Sequence, residues 1–224
     1  MKSECQPRKH STDGACRQCR LPEHACICAL IPRADSSACF WLITHDKEFD
    51  KPTNTGKLIQ AMMPDTRLFN WSRTVPDEQL VSLLDDPAYQ PVLLFPAEYA
   101  VEVQSEKACW SRQAMDGRKV AFIIIDATWQ QARKMYRQSP YLQNLDLLSL
   151  KPEEPSIYSL RRNRQSQHLC TAEVAAQALE QLGERHHRQL LEAVVQVYCD
   201  RYLWARKGQK REEDARSIRI LEGG

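Results

Sequence analysis

The chain has 224 residues, 42% hydrophobic and 27% charged, with 12 prolines against 7 glycines and a formal net charge of +2. This length admits one α/β domain with an appendage or two small domains, and the composition excludes collagen-like, low-complexity and disordered chains. A net charge so small does not by itself mark a nucleic-acid binder, and no apolar run approaches the roughly 20 residues that cross a bilayer, so a cytoplasmic protein with no membrane partner is expected.

Residues 1–35 form a polar, cysteine-rich segment, in which four of the nine cysteines, Cys16, Cys19, Cys26 and Cys28, fall within thirteen residues in the array C-x2-C-x6-C-x-C. An odd number of cysteines in a reducing compartment cannot all be disulfides. Two close pairs separated by a Pro-containing turn match the four-thiolate pattern of a tetrahedral structural zinc site. Free thiols in a loose arm are the plain alternative; against it, a segment of about 30 residues with so few apolar side chains has little else to order it. His24 lies inside the array, but four cysteines already complete the shell.

The apolar core begins at Ala38–Thr44, which reads as a strand. A short helix pattern follows at Thr53–Met63, then a strand at Thr66–Trp71, a helix at Pro76–Asp86 with Pro76 in its first turn, and a strand at Pro91–Pro96. A polar connection from Glu98 to Lys119 precedes the strand Val120–Asp126, a helix after Asp126, and a buried strand at Leu145–Leu150. The remainder is helical in pattern; Val174, Ala178, Leu179 and Leu182 share one face, and the stretch from Leu190 repeats apolar residues at three and four. Short apolar strands alternating with helices indicate βαβ units and a mostly parallel sheet covered on both faces. The domain reading is a 36–205 α/β domain flanked by the cysteine segment and a basic tail, 206–224.

In an open parallel sheet, ligands bind beyond the carboxyl ends of the strands. That rule selects the turns after Leu94, after Ile125 and after Leu150. At the second, Asp126 ends a buried strand two residues before Thr128, which with Gln131 writes a capping box. If Thr128 caps the helix, Asp126 is spare for a ligand. Trp129 reads equally as core packing, and Arg133, Lys134 and Arg137 equally as a solvated helix face. Seven bases against three acids between Arg133 and Arg164, and seven bases between Arg201 and Arg219, show that a near-neutral total conceals basic regions.

Three chemistries are unsupported. Asn54–Lys57 has the end of a P-loop, but Lys51 stands where glycine is required and Leu58 where Ser or Thr would hold magnesium. An aspartyl nucleophile of the phosphatase type would show a second acid where Thr128 stands, and no G-x-G-x-x-G follows any strand.

The cysteine array, together with Lys51–Ile59, Asp65–Thr74, Tyr89–Ala100, Asp126–Leu142, Tyr158–Arg162 and Cys170–Ala176, resembles the DTW-domain proteins, whose D-x-T-W signature is here Asp126, Ala127, Thr128 and Trp129. The resemblance runs from about Cys16 to the helices beyond Leu182 and is closest to the bacterial branch, the tRNA-uridine aminocarboxypropyltransferases. It implies transfer of the 3-amino-3-carboxypropyl group of S-adenosylmethionine to N3 of a tRNA uridine, in the variable loop for that branch. It also implies kinship with the SPOUT methyltransferases and therefore a knotted C-terminal half, which chain-connection rules would not suggest.

On that resemblance Asp126 assists the weakly acidic imide, as a base, by orienting the uracil or by steadying the sulfonium charge. No metal is required for the displacement, since the sulfonium is already a good leaving group. Phe95, Pro96, Ala97, Thr128, Trp129, Leu148 and Tyr158 would surround the S-adenosylmethionine, and Arg161 or Arg162 would meet its carboxylate or an RNA phosphate. Lys57, Arg73, Arg133, Lys134, Arg137 and Arg162 are candidate tRNA contacts. Cys16, Cys19, Cys26 and Cys28 would hold structural Zn2+. No obligate protein partner is implied, and the oligomeric state stays open. The rival readings are a SPOUT-type RNA methyltransferase and a non-catalytic, zinc-stabilised RNA-binding module.

Overall fold

The structure, a computed structural model, describes residues 14–100, 110–150, 155–160, 169–208 and 213–223. Five strands form one sheet: β1 (Ala38–Thr44), β2 (Arg67–Asn70), β3 (Tyr89–Leu94), β4 (Lys119–Asp126) and β5 (Asp146–Leu148). Their order is β2-β1-β4-β3-β5 and every pairing is parallel. The two central strands are in register from Ala38 opposite Val120 to Thr44 opposite Asp126. Both are buried along nearly their whole length, which is why they read as unbroken apolar runs.

The helices are α1 (Asp46–Phe49), α2 (Gly56–Met62), α3 (Glu78–Leu84), α4 (Ala97–Ala100), α5 (Trp129–Arg137), α6 (Pro140–Gln143), α7 (Thr171–Gln181), α8 (Arg185–Lys207) and α9 (Ala215–Glu222). Alternation along the strands divides the interior into two cores. Phe40, Leu42, Phe122 and Ile124 meet Leu58, Ile59 and Met62 of α2, the alanines of α7, and Leu191, Val194 and Tyr198 of α8. Trp41, Ile43, Ile123 and Ile125 meet Leu80 of α3, Ala132, Met135 and Tyr136 of α5, and Leu142 of α6. Each large side chain so buried contributes about 1.5–3 kcal/mol.

Several boundaries differ from the sequence reading. The third strand runs from Tyr89 to Leu94 and contains Pro91. β5 begins only opposite Val92, so Pro91 meets no residue of β5, the kind of place a sheet tolerates proline. Pro76 lies before α3 rather than in its first turn, because Asp77 is the cap and accepts the Leu80 N–H at 3.0 Å. Helix α7 buries Ala172, Ala175, Ala176, Ala178 and Leu179 while Val174 is only half-buried. It lies against both β4 and α8, so small side chains replace the single apolar stripe expected.

The cysteine segment is built into the first core: Cys16, Cys19, Leu21, Ala25 and Ile27 are all buried there, and His24 meets the edge of Trp204 on α8 with ring centroids 5.3 Å apart. Part of the stretch read as a basic tail forms α9, capped by Asp214 accepting the Ser217 N–H at 2.7 Å and packed on α8. Among the described residues no helix is long and apolar enough to cross a membrane.

Candidate active site at the carboxyl end of β4

Alternation in β4 decides where Asp126 points. Phe122 and Ile124 belong to the core under α2, α7 and α8, whereas Ile125 belongs to the core under α5. Asp126 falls on the first side, away from the helix that follows it. That helix has its own cap: the Thr128 N–H donates to Gln131 Oε1 at 3.0 Å and the Thr128 hydroxyl donates to the same oxygen at 2.5 Å.

Asp126 is 4% exposed. Its Oδ2 accepts from Asn54 Nδ2 at 2.7 Å and from the Thr44 hydroxyl at 3.4 Å, and its Oδ1 accepts from the Thr171 hydroxyl at 2.7 Å. Thr44 is its register partner in β1, Thr171 opens α7, and Asn54 precedes α2. Burial raises the carboxyl above its ordinary value, and the bonds from Asn54, Thr171 and Thr44 oppose that rise. A carboxylate offers about four acceptor positions. Among the described residues three are used, which leaves one for a ligand proton.

The partners are themselves fixed. Asn54 Oδ1 accepts the Gly56 N–H at 2.8 Å. A Cβ on Gly56 would lie 3.1 Å from Asn54 Oδ1, Asp126 Oδ2 and Leu42 Cδ1, so only glycine lets α2 start against the acid without displacement. The Thr55 hydroxyl accepts the Ala172 N–H at 3.2 Å. Glu173 accepts from Cys170 N–H at 2.7 Å, Ser156 Oγ at 2.8 Å and Ile157 N–H at 2.7 Å, and the Tyr158 hydroxyl donates to Thr53 O at 2.7 Å. Residues 53–56, 156–158 and 170–173 thus form one frame around the carboxylate.

Asp126 also lines a pocket of about 390 Å³, with Leu42, Thr44, Asn54, Gly56 and Lys57 from the sheet side and Arg17, Gln18 and Arg20 from the cysteine turn. Lys57 is not the free phosphate contact expected of it. Its ammonium donates to Pro52 O and to the Tyr198 hydroxyl, and burial pushes it down to about 7.

On the other side of Asp126, the turns after β3 and β5 are joined by Phe95 N–H donating to Leu148 O at 3.3 Å and Ala97 N–H donating to Ser149 Oγ at 3.0 Å. Phe95 stacks on Trp129 and Tyr136 with centroids 5.7 and 4.7 Å apart, Trp129 meets the edge of Tyr99 at 5.0 Å, and the Arg133 guanidinium lies 4.4 Å over Tyr99. Phe95 and Leu148 are buried in the cores, whereas Pro96, Ala97, Trp129 and Tyr158 are half-buried, with Ala97 and Trp129 against the second core and Tyr158 against the first. Thr128, Arg73, Lys134 and Arg137 are exposed. Arg161 and Arg162 lie outside the described residues.

The four sulfurs of Cys16, Cys19, Cys26 and Cys28 lie within 4.8 Å of one another, with Cys16 to Cys28 at 3.5 Å and Cys19 to Cys26 at 3.7 Å. The hydrogen bond from Cys28 pulls the Cys19 thiol down to about 5, while the same bond and burial push Cys28 far up. Four thiols so close share protons unless a cation replaces them, and this set can hold one metal ion.

Sequence reading missed Asn54, Gly56, Thr44 and Thr171 as partners of the acid, and Arg17 and Arg20 as pocket walls. Asn54 and Gly56 stood within the Lys51–Ile59 motif and the failed P-loop, and Thr171 within the Cys170–Ala176 motif, each without a role.

The DTW domain family model matches residues 13–203. Proteins named tRNA-uridine aminocarboxypropyltransferase 2 are similar to this chain: that of Drosophila melanogaster is 26% identical over 82% of this chain and 73% of its own length. Those of Macaca fascicularis and Mus musculus are each 25% identical, over 78% and 76% of this chain. The chain spans 58% and 57% of those two proteins. No solved structure matches.

Proposed function

Because this chain belongs to the DTW-domain family, we propose that it transfers the 3-amino-3-carboxypropyl group of S-adenosylmethionine to N3 of a tRNA uridine, with Asp126 meeting the imide. The observation that carries this reading is a buried carboxylate on a pocket wall, held by three side-chain donors and left with one acceptor position. N3 attacks the γ-carbon. The new N–C bond forms as the C–S bond breaks, its electron pair goes to sulfur, and neutral methylthioadenosine leaves. The N3 proton passes to Asp126, whose basicity burial has increased. Alignment selects the γ-carbon over the methyl group.

The turns after β3, β4 and β5 take the donor, with Pro96, Ala97, Trp129 and Tyr158 at its surface and Arg161 or Arg162 at its carboxylate. Arg73, Lys134 and Arg137 are exposed and suit RNA phosphates, as does Arg133 over the Tyr99 ring. The metal is zinc: a Zn–S bond of about 2.3 Å in a tetrahedron places sulfurs about 3.8 Å apart, close to the 3.5 and 3.7 Å separations present. The insertion of β4 between β1 and β3, with α7 lying across β4, is compatible with a SPOUT-like knot. A uridine of the variable loop is the proposed target on the resemblance of the sequence motifs to the bacterial branch, and a cytoplasmic setting suits an enzyme that modifies tRNA.

The test is mass spectrometry of tRNA incubated with protein and S-adenosylmethionine. A gain of roughly 101 Da with release of methylthioadenosine is expected, whereas a gain of about 14 Da means methyl transfer. No gain with any tRNA, and binding alone, would leave only the non-catalytic reading. Metal analysis should find one zinc per chain, lost in Cys19→Ser.

A further inference from the structure

The turn from Cys16 to Arg20 shares a pocket with Asp126. Arg17, Gln18 and Arg20 line the same pocket as Thr44, Asn54 and Asp126. Arg20 adopts φ +61°, the one positive φ at a non-glycine among the described residues. Its N–H donates to Cys16 O at 2.8 Å and closes the turn. A position of that geometry suits glycine, which adopts it freely, while an L side chain adopts it at a cost. An arginine there brings nothing to the turn that glycine would not, so its value lies in where the guanidinium goes. Arg20 lines the pocket, and among the described residues its ion pair is with Asp50, at 3.7 Å and 96% exposed on the Asp50 side. Such a pair is screened and easily exchanged for a stronger anion. Arg17 beside it is exposed.

We infer that this turn is a phosphate clamp: Arg20, with Arg17 beside it, holds an RNA backbone phosphate next to the nucleotide whose base reaches Asp126. The inference rests on the reading of Asp126 as the partner of the base. Placement favours phosphate over the carboxylate of the donor. The pocket is lined from β1 and β2 by Leu42, Thr44 and Leu68, whereas the turns assigned to the donor follow β3, β4 and β5, so the acid stands between the two ligands. The cysteine cluster then sets the position of the two guanidinium groups as well as holding the segment on the core.

Arg20→Gly is the decisive variant, because it removes the guanidinium and relieves the backbone at once. Its metal content and thermal midpoint should match or exceed those of the parent. Without S-adenosylmethionine present, its dissociation constant for bulk tRNA should rise about tenfold, and the slope of log affinity against log salt should become shallower by about 0.7–0.9, the loss of one phosphate contact. Arg17→Ala should show a smaller effect of the same kind, Arg20→Lys should recover part of the affinity, and Arg118→Ala, on a distant turn, should change nothing. In turnover the loss should appear in KM for tRNA and not in KM for S-adenosylmethionine.

Unchanged tRNA affinity and salt slope in Arg20→Gly and Arg17→Ala would overturn the clamp, as would a raised KM for S-adenosylmethionine with tRNA affinity intact, which would assign the anion to the donor's carboxylate. Because binding is measured without turnover, failure of the clamp is distinguishable from failure of the transferase reading, which shows as no 101 Da product from the parent protein.

Discussion

On one face of the sheet, Asn54, Thr171 and Thr44 deliver hydrogen bonds of 2.7, 2.7 and 3.4 Å to a single carboxylate. On the other, Phe95, Trp129 and Tyr136 close on one another with ring centroids 4.7 and 5.7 Å apart. Neighbouring residues of one strand serve both, Asp126 the first and Ile125 the second. The difference is one of tolerance. Apolar burial is non-directional and its loss is felt first as stability, while a buried acid with fixed donors depends on a few tenths of an ångström and its loss is felt as chemistry.

Asp126→Asn puts the largest strain on that contrast. It keeps the shape of the side chain and removes the proton acceptor, so kcat should fall by about 10²–10⁴ while circular dichroism and tRNA binding stay near those of the parent. Turnover within tenfold would mean that the polar face is not the reacting one. Phe95→Ala tests the other face: a loss of about 3–5 kcal/mol in denaturant unfolding is expected, with a raised KM for S-adenosylmethionine, since Phe95 stacks on Trp129, and with kcat per folded molecule at saturating donor falling far less than in Asp126→Asn. Gly56→Ala lies between the two, since a Cβ 3.1 Å from both Asn54 Oδ1 and Asp126 Oδ2 moves the site more than the core. It should destabilise by about 1–3 kcal/mol and lower kcat by more than that destabilisation lowers the folded fraction.

The smallest effect is a displacement in pH. Asp126 accepts a proton only when ionised, so activity falls as pH falls through its raised value. Asn54 donates to the ionised form and holds that value down; Asn54→Ala should therefore move the acid limb of kcat to higher pH. Stability runs the opposite way: with the folded value above the unfolded one, the contribution of Asp126 is full below its ordinary pKa and is lost as pH rises through the raised one. An acid limb that stays in place in Asn54→Ala would remove Asp126 as the titrating group.

The strands were legible because both faces of the sheet are covered and their residues run apolar without a break. The start of α5 was legible from Thr128 and Gln131, whose bond spans three residues. Strand order was not, since the insertion of β4 between β1 and β3 depends on pairings far apart in the chain. Nor were the partners of Asp126, which stand 72, 82 and 45 positions away in Asn54, Thr44 and Thr171. Lys57 looked like a free cation until its bonds to Pro52 and Tyr198 were seen, and nothing in the letter Arg announces the positive φ of residue 20.

The strand order has a colloidal consequence. The long strands, β1 with seven residues and β4 with eight, are interior, while the edges are β2 with four and β5 with three. Among the described residues a neighbouring chain therefore finds three or four residues of open ladder on either side, too little to template cross-chain pairing. The most aggregation-prone sequence in the molecule, the apolar run of β4, is flanked by β1 and β3 as soon as the sheet forms, so the interval of hazard is folding itself and not the native state.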